Sequence, residues 1–486
     1  MRRFGWICLV MLVGLCSAVA FLRFSVSIVS AASHSVSQAK LLKTSAKATL
    51  SVPAVSVPTI SVPAGDTLYS AKRGEAVVTV ARRYLGQTSY LTSSELSDAI
   101  RKANGDYAGT FFKANQQVLI PGILPAPIVE KMIPVQRDFE ARAIYLTAIM
   151  AASDHGVRIV KQWRAVGGNA VVFDIKDSDG SVNIPFDYSL LGQHHVVIHD
   201  LPKYIRFLHS QNMHAIARVA IFRDQHLVET HPELAVKSRK TGQPWRENGK
   251  LVWTDSSNPK VQDYDIALAK AAAEAGADEI QFDYVRFPAE GDQKDASFSF
   301  ETAHPGWHRP DVITDFLKRA YAQIHPTGAL LSLDVFGVMA WQRPADLNHT
   351  GQDIVGMAKY SDVISPMIYP SHFFGMDNIA HPGDAPEHFI SESMARFEKI
   401  TQGSGVVIRP WLQAFRWRTK TYSPDYIKVQ VLAAKEKGGI GFLFWNAAND
   451  YSKPYIAMPE MKASAGKYFR GDELPKTMQA SLAHAN

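Results

Sequence analysis

The segment Asp278-Glu279-Ile280-Gln281-Phe282-Asp283-Tyr284-Val285-Arg286-Phe287-Pro288 is an apolar run that ends in a carboxylate, an aromatic ring and a guanidinium. Two other apolar runs end in the same way, 330–336 with Asp334 and 170–176 with Asp174 and Lys176. Polar groups at the carboxyl ends of buried parallel strands are where a (β/α)8 barrel keeps its chemistry. A pair of carboxyl groups across such a mouth suits glycosidic bond cleavage. One protonates the leaving oxygen, and the other attacks or activates water. Asp283 and Asp334, on neighbouring strand ends, are the expected catalytic pair. Arg286 close by would hold Asp283 ionised as nucleophile or base. The apolar run before Asp334 predicts a desolvated carboxyl that acts as acid. The residues alone leave these two roles exchangeable and keep Asp174 as a rival for the second carboxyl. A bland alternative makes Asp283 half of a structural ion pair with Arg286 or Lys176.

Inward and outward side chains alternate along a barrel strand. If Ile280 and Phe282 face outward, Gln281 and Asp283 face inward. The same parity turns Asp174, Lys176, Ser332, Asp334, Ser365, Met367, Tyr369, Arg409, Trp411, Gln413 and, with Leu443, Trp445 inward. Asp174, Lys176, Arg286, Tyr369, Trp411, Gln413 and Trp445 are therefore the expected substrate-binding residues. Carboxylates and amides suit sugar hydroxyls, and aromatic faces suit the C–H faces of sugar rings. The competing reading of Trp411 and Trp445 is plain core packing.

These residues need a frame. Eight short apolar segments, 143–147, 170–176, 215–222, 279–285, 330–336, 363–369, 406–413 and 440–446, read as strands. Amphipathic stretches at 200–211, 261–275, 310–324 and 423–437 read as helices between them. This alternation predicts an α/β fold, a (β/α)8 TIM-type barrel over 140–470. A doubly wound open sheet is the runner-up, but no Gly-rich phosphate loop follows the first strand.

Arg2 and Arg3 precede an apolar run over 4–21, and Ser30, Ala31 and Ala32 follow. That pattern predicts a signal peptide over 1–32, hence an exported protein in the periplasm, cell wall or medium. The run is also long enough to serve as an uncleaved membrane anchor. Cys8 and Cys16 are the chain's two cysteines and both lie in this segment. Disulfides, thiol catalysis and Cys-ligated zinc are thereby excluded from the rest. His194, His195 and His199 cluster, but the β-branched run between the last two argues against a helical metal pair. No metal and no cofactor are expected. Hydrophobic content of 46% is ordinary for a globular chain, and the net charge of +6 suits anionic polymers better than it argues for nucleic acid.

Residues 33–66 carry Ser-Val-Pro at 51, 56 and 61 and read as an extended linker. Residues 67–122 combine Gly74-Glu75, a helical pattern behind Ser94, Asn104-Gly105 and Leu119-Ile120-Pro121. This order resembles a LysM module, a βααβ domain that binds N-acetylglucosamine polymers. Ala76 departs from the usual Thr, and the stretch 106–116 is longer than the family's. A linker over 123–139 and a tail over 471–486 complete the expected organisation.

Residues 140–470 resemble the bacterial putative glycosyl hydrolase domain family. The resemblance rests on Val172-Phe173-Asp174-Ile175-Lys176-Asp177 with Gly180, His231-Pro232-Glu233-Leu234-Ala235-Val236 and Trp253-Thr254-Asp255. It rests further on the 278–288 segment, Leu333-Asp334-Val335-Phe336-Gly337 and Ser365-Pro366-Met367-Ile368-Tyr369-Pro370. It implies a TIM-type barrel, a glycan-cleaving role and Asp283 and Asp334 as catalytic groups. Chitinases of family 18 place a Glu after the run of Asp residues on the fourth strand. None follows Asp283, which speaks against their substrate-assisted chemistry. The expected substrate is an envelope or extracellular polysaccharide, such as peptidoglycan or another N-acetylhexosamine polymer. The alternative is a non-catalytic glycan-binding scaffold. A deacetylase fares worse, since no metal triad is visible.

Overall fold

The computed structural model describes residues 62–126, 128 and 135–471. The expected signal segment, both cysteines and the Ser-Val-Pro repeats up to residue 61 lie outside the described residues.

The amino-terminal unit pairs β1 (Thr67–Ser70) antiparallel with β2 (Gln117–Ile120), with α1 (Val77–Tyr84) and α2 (Ser93–Ala103) between them. Val80, Ala81, Leu96, Ile100, Val118 and Ile120 form its small core. Thr92 caps α2, as its hydroxyl accepts from the Glu95 N–H at 3.1 Å. Asn104 then ties the end of α2 to β2. It donates to the Leu119 carbonyl and accepts from the Leu119 N–H, both at 2.9 Å.

Eight parallel staves follow: β3 (Arg142–Leu146), β4 (Ala170–Lys176), β5 (His214–Ala220), β6 (Glu279–Asp283), β7 (Leu330–Phe336), β8 (Val363–Ile368), the split pair β9 (Val407–Ile408) and β10 (Trp411–Gln413), and β11 (Phe442–Trp445). Pairing of β7 with β8 closes the sheet into a barrel. The seventh stave breaks at Pro410, whose missing N–H cannot join the ladder. The strand interiors are buried on both faces, which is why they read as near-continuous apolar runs.

Two apolar clusters separate the faces. Ile144, Val171, Phe173, Ile280, Phe282, Leu331, Leu333 and Phe444 pack outward against helices such as Pro259–Glu274 and Arg309–Ile324. Ala143, Tyr145, Val172, Ile216, Tyr369, Trp411 and Leu443 pack inside the barrel. The third stave starts one residue before the expected segment and ends two before it. The fourth stops at Asp283 because Tyr284 turns left-handed, with φ 57°.

Candidate active site

The interior holds charged groups at two levels. At the floor, where the strands begin, Arg409 donates to Glu279 Oε2 at 2.8 Å and Oε1 at 3.1 Å. His214 Nε2 contacts the same carboxylate at 3.0 Å, and Arg409 also donates to the Phe139 carbonyl. Burial alone would raise Glu279, but Arg409 and His214 overcome it and hold the carboxyl at about 2.

At the mouth, the centre is Arg218 on β5. Its Nη2 donates to Asp283 Oδ2 at 2.6 Å and Nε reaches the same oxygen at 3.2 Å. Nη1 donates to Asp174 Oδ1 at 2.5 Å. The other oxygen of Asp174 accepts from the Tyr145 hydroxyl. The guanidinium also lies against the rings of Tyr145 and Trp445, 5.8 and 5.5 Å from their centroids. Those two rings stack on each other at 4.2 Å. Burial raises Asp174 to about 7 despite the adjacent cation.

Asp334 has a different environment. Trp411 Nε1 donates to its Oδ1 at 2.6 Å and Gln281 Nε2 at 2.8 Å. Both donors are neutral, and among the described residues none donates to Oδ2. Burial, then the negative charge of Asp283, push Asp334 well above the ordinary carboxyl range. Asp283 is the more open of the two, with 12% of its side chain exposed. Its Oδ1 accepts from the Tyr284 N–H at 2.7 Å. A bulky residue at φ 57° costs on the order of 1–3 kcal/mol, and such strain collects at functional sites.

Asp174, Asp283, Asp334, Trp411 and Trp445 are thus brought together at the mouth, with Tyr369 alongside. The hydroxyl of Tyr369 is held well up, first by burial and then by Asp334 and Asp283. Three expected residues sit elsewhere. Lys176 does not line the mouth. A register shift between Asp174 and Lys176 turns its ammonium outward, 2.8 Å from both Asp224 and Asp265 and over the Tyr264 ring. Gly180 permits this packing, since a Cβ there would lie 1.9 Å from Asp224. Arg286 does not pair with Asp283. The left-handed turn at Tyr284 ends the strand alternation, and the guanidinium lies among Phe336, Trp253 and Tyr284 at 4.4, 4.8 and 5.2 Å. Gln413 knits loops together, accepting from the Ser371 N–H and donating to the Phe415 carbonyl at 3.0 Å.

Arg218 and Tyr145 are the functional candidates that the sequence reading missed. Alternation along Ala215-Ile216-Ala217-Arg218-Val219-Ala220 would have turned a lone cation inward. Among the described residues, no group of three or more His, Cys, Asp or Glu side chains could hold a metal ion. No helix among them is long and apolar enough to cross a membrane.

A family model described as a putative glycosyl hydrolase domain matches residues 143–451. No curated protein matches the chain. Among solved structures, a hypothetical protein from Ruminiclostridium thermocellum is 37% identical, covering 40% of this chain and 97% of its own, with a TM-score of 0.35. The spore cortex-lytic enzyme SleL of Bacillus megaterium is 12% identical over 85% of this chain and 89% of its own, at 0.40. An α-galactosidase from Thermus thermophilus is 14% identical over 75% and 70%, at 0.43.

Proposed function

We propose that this chain, which belongs to the putative glycosyl hydrolase domain family, cleaves glycosidic bonds of an extracytoplasmic polysaccharide with Asp283 and Asp334 as its two carboxyl groups. The observation that carries the reading is the opposite setting of those groups. Asp283 is ion-paired to Arg218 and partly open. Asp334 is buried, meets only neutral donors and is held protonated above the usual range. Two carboxyl groups with opposed environments are the signature of an acid and a base or nucleophile. Asp334 then protonates the glycosidic oxygen from Oδ2, while Asp283 attacks the anomeric carbon or takes a proton from water. Arg218, ion-paired to Asp283, aims its carboxyl group, and Trp445 with Tyr145 offers a ring face to the sugar. Export through residues 1–32 and a LysM-like unit over 67–122 would bring the barrel to an envelope polymer.

The near-complete burial of Asp334 favours one rival, a barrel that binds glycan without cutting it. Reducing-end release from a panel of envelope and secreted polysaccharides separates the two. The hydrolase reading expects release by the wild type and its loss in Asp283→Asn and Asp334→Asn with folding intact. Binding without release, unchanged in both variants, supports the scaffold.

A further inference from the structure

The loop after β10 reads Phe415-Arg416-Trp417-Arg418-Thr419-Lys420, alternating rings with cations at the carboxyl ends of the staves. The guanidinium of Arg418 lies 4.1 Å from the Phe374 ring centroid and 4.5 Å from that of Trp417. Those rings meet edge to face at 5.9 Å. The two rings stand at 86° to each other and hold the guanidinium in the corner between them, while its residue remains exposed. Among the described residues, no carboxylate lies within ion-pair distance of Arg416, Arg418 or Lys420.

The platform is built rather than loose. Arg418 sits at φ 47°, and the neighbouring chain passes so close that a Cβ on Gly383 would lie 2.2 Å from the Arg418 carbonyl. Asp384 Oδ1 accepts from the N–H groups of Lys420 and Thr421 at 2.6 and 3.1 Å and from the Thr419 hydroxyl at 2.8 Å. Gln413 fixes the start of the loop. The platform also runs into the mouth. Tyr369 lies 5.5 Å from His372, and His372 lies 4.7 Å from Trp417.

We propose that Trp417, Arg418 and Phe374 form a subsite for an acidic sugar unit, so that the polymer is an anionic polysaccharide. A carboxylate or phosphate substituent takes the open edge of Arg418, and the sugar ring takes the Trp417 face. Arg416 and Lys420 add unpaired charge beside it. An aromatic platform alone suits any glycan. The unpaired guanidinium, backed by two rings and open at its edge, is what selects an anionic one, because charge-assisted bonds of this kind are the strong ones. This inference rests on the glycan-cleaving reading of the mouth and names its substrate class.

The test uses the full chain with Asp283→Asn, so that bound polymer is not cut. Calorimetry is run with polygalacturonate, a glycerol-phosphate polymer, a neutral galactan and a single-stranded oligonucleotide. The expected result is binding of one or both acidic polymers at least about tenfold tighter than the galactan and oligonucleotide. Which acidic polymer binds identifies carboxylate or phosphate as the group. Arg418→Gln should remove that preference and flatten the salt dependence, and Trp417→Ala should weaken all glycans. No binding of either acidic polymer, equal binding of the galactan or oligonucleotide, or a preference that survives Arg418→Gln overturns the proposal. Reducing-end release by the wild type, run in parallel, separates the two readings. Cleavage without Arg418-dependent binding defeats only the subsite. Arg418-dependent binding without cleavage defeats only the hydrolase.

Discussion

The floor and the mouth of the barrel hold the same residue types and treat them in opposite ways. At the floor, Glu279 meets Arg409 and His214, and its carboxyl is driven down to about 2. At the mouth, Asp174 and Asp283 share Arg218, and Asp334 has no cation of its own. The floor is a compensated charge cluster that fastens strands β5, β6 and the seventh stave. The mouth is undercompensated, and burial there pushes Asp334 up and Asp174 to about 7. A balanced cluster holds a protein together, whereas an unbalanced one keeps a proton ready to move.

The largest effect that could break this contrast lies in the rates. Asp283→Asn should lower reducing-end release by at least about a thousandfold, and Asp334→Asn by about 100- to 10,000-fold, the range for acid–base groups. Melting temperatures should show both variants folded. Glu279→Gln should do the reverse. It leaves Arg409 buried without its counter-ion, at a cost of about 3–5 kcal/mol in denaturant unfolding, while the rate per folded molecule stays within about threefold.

A smaller effect separates the two levels by pH. Glu279 has a depressed folded value, so its stabilisation is present above the ordinary glutamate range and lost as pH falls toward about 2. The gap between wild type and Glu279→Gln should therefore close on acidification. Asp334 has a raised folded value, so its contribution is present below the ordinary aspartate range and lost as pH rises through the raised value. Asp334→Asn should then gain stability over wild type on moving to neutral and alkaline pH, at the expense of activity. Thermal melts across pH check both signs. The smallest effect belongs to Tyr145→Phe. Removing a donor that favours the Asp174 carboxylate should move its titration, near 7, upward by less than about one pH unit in a carbon-13 NMR experiment.

The barrel was legible because parallel strands covered on both faces read as apolar runs of set length, broken by amphipathic helices. Asp283 and Asp334 were legible for the same reason, as polar residues on the inward parity of otherwise apolar strands. The alternation misled where the backbone departs from it. The register shift after Asp174 carried Lys176 outward, and the left-handed Tyr284 carried Arg286 away from Asp283. Arg218 was legible by parity, but adjacency along the chain made Arg286 look like the partner. Gln413 pointed inward by parity, yet loop carbonyls and N–H groups that no local pattern reveals had claimed its amide.

The most direct measurement is infrared difference spectroscopy of wild type against Asp334→Asn at neutral pH, followed by titration upward. The contrast between floor and mouth predicts a protonated carboxyl band in the wild type that is missing from the variant and fades as the pH is raised. A wild type with no such band at neutral pH would mean that Asp334 is already ionised, and the mouth would hold no acid.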